Sequence, residues 1–151
     1  MARQAAEQES ELLKGFRAVY EEGNRAWNEG DFKRAYGALP EDFEYELGAN
    51  WPEGAQTLRG PDEIVAFFEA WHETFPDTRA DFREFIQTDE RTIVVGFDVH
   101  GTGASSGVSA KMEIWQVWEI EEDLRPIRVA EFSNRSAALE AASVQERGGE
   151  R

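Results

Sequence analysis

The side chains able to carry acid–base or anion chemistry are few in kind. The chain has two histidines, His72 and His100, and no cysteine. A thiolate nucleophile, a disulfide, a Cys-based zinc or iron–sulfur site and a His-rich motif such as HExxH are therefore excluded, and no metal or cofactor is expected. His72 is the candidate catalytic residue, because imidazole titrates near neutral pH and serves as a general base. It follows Trp71 and lies four residues after Phe68, at the edge of an apolar stripe, so a rim or surface position is the alternative. His100 falls on an outward strand position and is given no role. Arg128 is the second candidate. A guanidinium in an apolar chamber stays charged, so it must pair internally or hold a ligand carboxylate or enolate. The amide of Gln116 offers both a donor and an acceptor, which suits a carbonyl or hydroxyl. The segment GTGASSG has the glycines and hydroxyls of a phosphate loop but does not join a strand to a helix, so it reads as a hairpin turn.

Composition bounds the rest. With 151 residues, 40% of them hydrophobic and 12% aromatic, the chain has material for one packed domain and is not disordered. Its 31 acids against 16 bases leave a formal charge of −15. Such a surface repels phosphate backbones and anionic lipid heads, so neither nucleic acid nor membrane is expected as a partner. The start MARQAAEQESELLK has no apolar h-region, and no apolar run approaches a membrane span; a cytoplasmic protein is expected. The domain is placed at 10–144, with a flexible start at 1–9 and a disordered tail at 145–151.

Periodicity supplies the elements. Leu12, Phe16, Val19, Tyr20, Gly23 and Trp27 share one helical stripe from Ser10 to Asn28. Asp31 caps a short helix over Phe32–Leu39, and Pro40 closes it. Phe43, Tyr45 and Leu47 alternate with Glu44 and Glu46 as in a strand with one buried face. Gly48 to Gly60 reads as a loop holding Trp51. Pro61, Asp62 and Glu63 open a helix carrying Ile64, Phe67, Phe68, Trp71 and Phe75. Four strands follow at about 79–87, 91–102, 108–120 and 125–132, then a helix at about 134–144. This is an α+β domain with helices on one face of an antiparallel sheet.

The order of these elements, with W-N-E-G-D ending the first helix and L-R-G-P-D-E-I opening the third, resembles the nuclear-transport-factor-2-like superfamily. The later segments D-E-R-T-I-V-V-G-F-D-V-H-G-T-G-A-S-S-G-V, V-W-E-I and R-V-A-E-F-S-N-R-S-A-A-L-E-A-A resemble its SnoaL-like branch most. The resemblance covers Ser10 to Val144. It implies a cone-shaped curved sheet (cystatin-like) with three N-terminal helices and a short C-terminal one, wrapped around a pocket and commonly homodimeric. The superfamily includes polyketide cyclases, ketosteroid isomerases, scytalone dehydratase and limonene-epoxide hydrolases. The sequence departs from the ketosteroid isomerase pattern: Gly23, Leu47 and Gln116 stand at the positions of its Tyr, its base and its neutral Asp.

Strand parity then chooses a chamber wall. Tyr45 and Phe97 point inward by alternation; the resemblance sets Gln116 and Trp118 inward on the third long strand. Taking Phe132 as inward brings Ala130 and Arg128 with it. Trp27, Phe67 and Trp71 come from the helices. The expected ligand-binding set is thus Trp27, Tyr45, Phe67, Trp71, Phe97, Gln116, Trp118, Arg128 and Phe132. No Asp or Glu falls on the wall so chosen. The leading expectation is a chamber binding a small, mostly apolar molecule. The alternatives are a cofactor-independent cyclase, isomerase, dehydratase or hydrolase, with its acid on a misassigned face, and a solid, catalytically inert dimeric module. Val94, Trp115, Val117 and Ile127 form an outward apolar strip, for which a homodimer interface is expected.

Overall fold

The computed structural model describes residues 10–49, 51, 54–102, 109–121, 123 and 125–149. The expected flexible start at 1–9 and most of the GTGASSG turn lie outside these residues. The elements are α1 (Glu11–Asn28), α2 (Phe32–Tyr36), β1 (Glu44–Leu47), β2 (Gln56–Arg59), α3 (Gly60–Thr74), β3 (Arg79–Asp89), β4 (Thr92–Thr102), β5 (Ser109–Ile120), β6 (Pro126–Phe132) and α4 (Arg135–Gly149). Strand β2 falls in the stretch expected to be loop, and α4 continues to Gly149, into the expected tail. Among the described residues, no helix is long and apolar enough to cross a membrane.

Local chemistry fixes the helix ends. Ser10 caps α1 by accepting from the Leu13 backbone N–H at 3.0 Å, one of the donors a helix start leaves unpaired. At the other end Asn28 acts like a strand neighbour: its Oδ1 accepts from the Ala80 N–H at 2.8 Å and its Nδ2 donates to the Ala80 carbonyl at 3.2 Å. Asp31 then caps α2, accepting from the Arg34 N–H. The W-N-E-G-D segment therefore pins the first helix to the sheet. In L-R-G-P-D-E-I, Gly60 has φ +79°, and a Cβ there would come within 2.7 Å of the Glu41 carbonyl oxygen. Only glycine meets both demands without strain. Its N–H donates to the Phe43 carbonyl, joining α3 to the start of β1.

The six strands form one sheet in the order β2-β1-β6-β5-β4-β3. All neighbours are antiparallel except β1 and β6, which run parallel. Register shifts at Phe82/Glu84 and Gln87/Asp89 in the β3–β4 pair, and at Glu119/Ile120 in the β5–β6 pair, bend and twist the long strands, as bulges do. Helices α1, α2 and α3 pack their apolar stripes into the concave face, where Phe16, Trp27, Phe32, Phe68 and Trp71 join Tyr45, Val95, Phe97 and Trp118 in the main core.

The opposite face is also covered. Ala138 and Ala142, one helical turn apart on α4, lie fully buried against Val94, Trp115 and Val117, with Phe132 and Ile86 at the margin. Two small residues let the helix axis come close to the sheet, and Asn134 caps it by accepting from the Ala137 N–H at 2.8 Å. The expectation of helices on one face alone is thus corrected. So is the reason for expecting a homodimer through Val94, Trp115 and Val117, since the protein's own helix fills that place; Ile127 remains 41% exposed. Gly96 makes the packing possible. It is the cross-strand partner of Trp115, and a Cβ there would sit 2.5 Å from the indole ring, which lies over the bare backbone.

Candidate functional site

Between α1, α2 and the concave face lies a cavity of about 140 Å³. Its wall includes Tyr20, Trp27, Tyr36, Tyr45, Trp51 and Trp118, with Phe16, Phe68, Phe97 and Gln116 among the rest. Val19, 69% exposed, lines it from α1 together with Gly23 and Asn24. None of the described residues lining it is charged.

One side of the wall is a chain of hydrogen bonds, and each donor can be assigned. The indole Nε1–H of Trp118 donates to Gln116 Oε1 at 2.9 Å, and an indole can only donate. Tyr20 donates to the same oxygen at 2.6 Å. The Gln116 amide nitrogen therefore faces the other way, donating to Tyr45 Oη and to Glu131 Oε2, both at 2.9 Å. Tyr45 donates to Glu131 Oε2 at 2.6 Å. The other carboxylate oxygen accepts from Trp51 Nε1 at 2.6 Å and from the Gly48 backbone N–H at 3.3 Å. Every bond runs toward Glu131.

Glu131 is 7% exposed and accepts four hydrogen bonds. Among the described residues no Lys, Arg or His forms an ion pair with it. Burial pushes its pKa above the ordinary carboxylate value, and the four donors pull the other way without cancelling the rise. The hydroxyls of Tyr20, Tyr36 and Tyr45 lie deep in the wall, and all three are held above the usual phenol value. Burial is the main cause, and the charge of Glu131 adds to it. The site therefore resists negative charge on its own hydroxyls.

Sequence reasoning placed no acid here, and the cause is the parity of β6. Val129 and Glu131 point into the concave side, while Phe132 packs under α4. Arg128 points to the outer surface, where it pairs with Glu46 and, at 3.3 Å, with Glu119. Arg128 and Phe132 are thus removed from the chamber wall. Trp27, Tyr45, Phe97, Gln116 and Trp118 come together around the cavity. Phe67 and Trp71 stand behind it, edge-on to Trp51, and Trp71 donates its indole N–H to Thr78 Oγ1 at 3.1 Å. His72 does not line the cavity: its ring lies against Phe32 and beside Gly30, where the α1–α2 turn passes. Among the described residues no cluster of His, Cys, Asp and Glu fits a metal ion.

Tyr20, Tyr36 and Trp51 of the wall, and Glu131 behind it, stand outside the expected ligand-binding set, as do Phe16 and Phe68. Tyr20 lay on the helical stripe already recognised. The signal for Glu131 was the hairpin register: Trp115 pairs with Phe132 and Gln116 with Glu131, and directly opposed residues share a face.

Known proteins agree with this architecture. A nuclear-transport-factor-2-like protein of unknown function from Burkholderia pseudomallei is 23% identical and superposes with a TM-score of 0.65, covering 83% of this chain and 95% of that one. A nuclear-transport-factor-2-like protein from Anabaena variabilis is 17% identical, with a TM-score of 0.68 and coverage of 85% and 93%. SalBIII, an epoxide hydrolase/cyclase-like enzyme with a role in pyran ring formation in the polyether salinomycin, is 14% identical, with a TM-score of 0.65 and coverage of 82% and 93%. At these identities the likeness is one of fold. No curated protein matches the sequence. The SnoaL-like domain family matches residues 16–128, a span that runs from the α1 aromatic Phe16 to β6, and the chain belongs to that family.

Proposed function

We propose that the protein binds a small, mostly apolar molecule in the chamber between α1, α2 and the concave face of the sheet. The observation that carries this reading is the cavity itself: about 140 Å³ of space walled by aromatic rings that belong to the main core. Protein interiors are close-packed, so space of this size beside a converging set of polar groups is the ordinary mark of a ligand site. Gln116 is fully occupied by its four partners, so its part is to hold Tyr20, Tyr45 and Trp118 in place.

Gly23 gives the test. It lies within α1 and faces the cavity, and among the described residues outside its own helix only the Ala35 carbonyl oxygen, at 3.9 Å, comes within 4 Å of an added Cβ. A Leu there fits the helix and extends into the chamber. Wild-type protein, denatured after purification from its native host, should release a stoichiometric small molecule detectable by mass spectrometry. Gly23→Leu should retain its fold and lose at least nine-tenths of that occupancy. Equal occupancy in both proteins would place the ligand elsewhere, and a wild-type protein carrying nothing would count against the chamber.

A second reading is favoured by one contact. Tyr45 both lines the cavity and donates to Glu131 at 2.6 Å, so a proton taken from a ligand by the Tyr45 oxygen would be balanced by transfer of the Tyr45 proton to the carboxylate. Cofactor-independent cyclisation, isomerisation or dehydration would use that pair.

A further inference from the structure

We infer that the chamber's ligand is an organic cation, an amine or quaternary ammonium compound with apolar substituents. This rests on the reading of the cavity as a binding chamber and adds the charge of the occupant. Four features of the wall converge on it.

The first is the direction of the hydrogen bonds. The hydroxyl hydrogens of Tyr20 and Tyr45, both amide hydrogens of Gln116, and the indole hydrogens of Trp51 and Trp118 are all spent on acceptors inside the wall. With their hydrogens committed, Tyr20 and Tyr45 can meet an occupant of the cavity only as acceptors; the Tyr36 hydroxyl, which also lines it, stands outside this set. A carboxylate or enolate needs donors, whereas an ammonium group needs acceptors or electron-rich faces.

The second is the aromatic lining. Trp27, Trp51 and Trp118 surround the cavity together with Tyr20, Tyr45 and Phe68. Aromatic faces carry negative electrostatic potential and attract a desolvated cation, Trp most strongly. The third is the balance of formal charge. Glu131 stands directly behind Tyr45 with no basic partner among the described residues, and no Lys, Arg or His among them lines the cavity. A cation would supply the missing counter-charge, and an anion would be repelled. Arg128, the one base expected to receive an anion, is paired on the far side of the sheet with Glu46 and Glu119. The fourth acts at longer range: a net charge of −15 raises the local concentration of cations and speeds their approach.

Three probes of the same shape separate the charge from the cavity: choline, its neutral carbon isostere 3,3-dimethylbutan-1-ol, and the anion 3,3-dimethylbutanoate. Each is titrated into the wild-type protein at fixed ionic strength, with tryptophan fluorescence and calorimetry as readouts. Choline is expected to bind at least tenfold more tightly than the alcohol, and the butanoate more weakly than either. In Glu131→Gln the advantage of choline over the alcohol should shrink at least threefold while the alcohol's affinity holds. The wild-type series decides the matter even if that variant does not fold. An alcohol or butanoate that binds as tightly as choline overturns the assignment of charge and leaves the chamber standing. Absence of binding by all three overturns the chamber reading and the cation with it.

Discussion

Replacing Glu131 with Ala is expected to cost the fold about 3–5 kcal/mol, since one buried donor left without its acceptor costs about 1–3 kcal/mol and several are left at once. The cost lies in what the carboxylate leaves behind. Tyr45, Gln116, Trp51 and the Gly48 backbone all donate to it, and its removal strips all four of the acceptor they share. Glu131→Gln should cost less, about 1–3 kcal/mol. Its amide keeps one acceptor oxygen for Trp51 and Gly48, and Tyr45 can turn to accept from the new N–H₂ group. The Gln116 nitrogen is then left facing a donor, and the Tyr45 hydroxyl hydrogen has lost its acceptor as well. Urea unfolding at neutral pH checks both values, and an Ala variant within about 1 kcal/mol of wild type would show that the carboxylate is not the acceptor these donors depend on.

The same pair of proteins fixes a pH dependence with a definite sign. Burial raises the pKa of Glu131 above its value of about 4.3 in the unfolded chain. Between that value and the raised folded one, the folded protein keeps a proton the unfolded chain has lost, so stability falls as pH rises through the window. It levels off above the folded pKa. Subtracting the Glu131→Gln curve from the wild-type curve removes the other titrating groups, including Glu119, whose pKa burial also raises. The difference should decline with rising pH. A difference that climbs instead would mean that the four donors outweigh burial.

How much of this was legible in the sequence depends on whether a segment has one apolar face or two. Helix α1 and the Phe43–Tyr45–Leu47 alternation each have one, and period alone puts Trp27 and Tyr45 on the side where the cavity lies. Strand β4 has two: Val94 faces α4 while Val95 and Phe97 face the chamber. In β6, Val129 packs inward and Phe132 outward, so the largest hydrophobe did not mark the chamber side. Size was the wrong guide, and the usual solvation of Glu reinforced the error. Once Trp115 is placed on the outer face, pairing across the β5–β6 hairpin carries Phe132 there and turns Glu131 inward beside Gln116. Parity is a property of the pair rather than of the single strand. Strand β2 was missed for a different reason. Of its four residues only Leu58 is buried, so an edge strand this short shows no alternation to read.

Ala142→Asp is expected to release α4 from the sheet, lower stability by about 3 kcal/mol or more, and change the state of association. Ala142 is fully buried against Val94, Trp115 and Val117, where a carboxylate would be desolvated without a partner, a burden no buried site of this kind sustains. The helix avoids it by lifting away, and the strip it covered then faces water. Contiguous apolar surface of that sort seeks a partner, so the variant should elute from size exclusion at a larger mass than wild type as concentration rises, with stronger binding of an apolar dye. Glu140→Gln, at an exposed position on the same helix, should leave both readouts unchanged. Because the chamber lies on the other side of the sheet, ligand occupancy measured on the soluble fraction should persist in Ala142→Asp. Coincident loss of occupancy would show instead that Trp115 and Gln116, neighbours in β5 with opposite facing, transmit the disturbance through the strand they share. An Ala142→Asp protein as stable and as dispersed as wild type would mean that α4 does not seal this face, and the outward strip would again need a second copy of the chain to cover it.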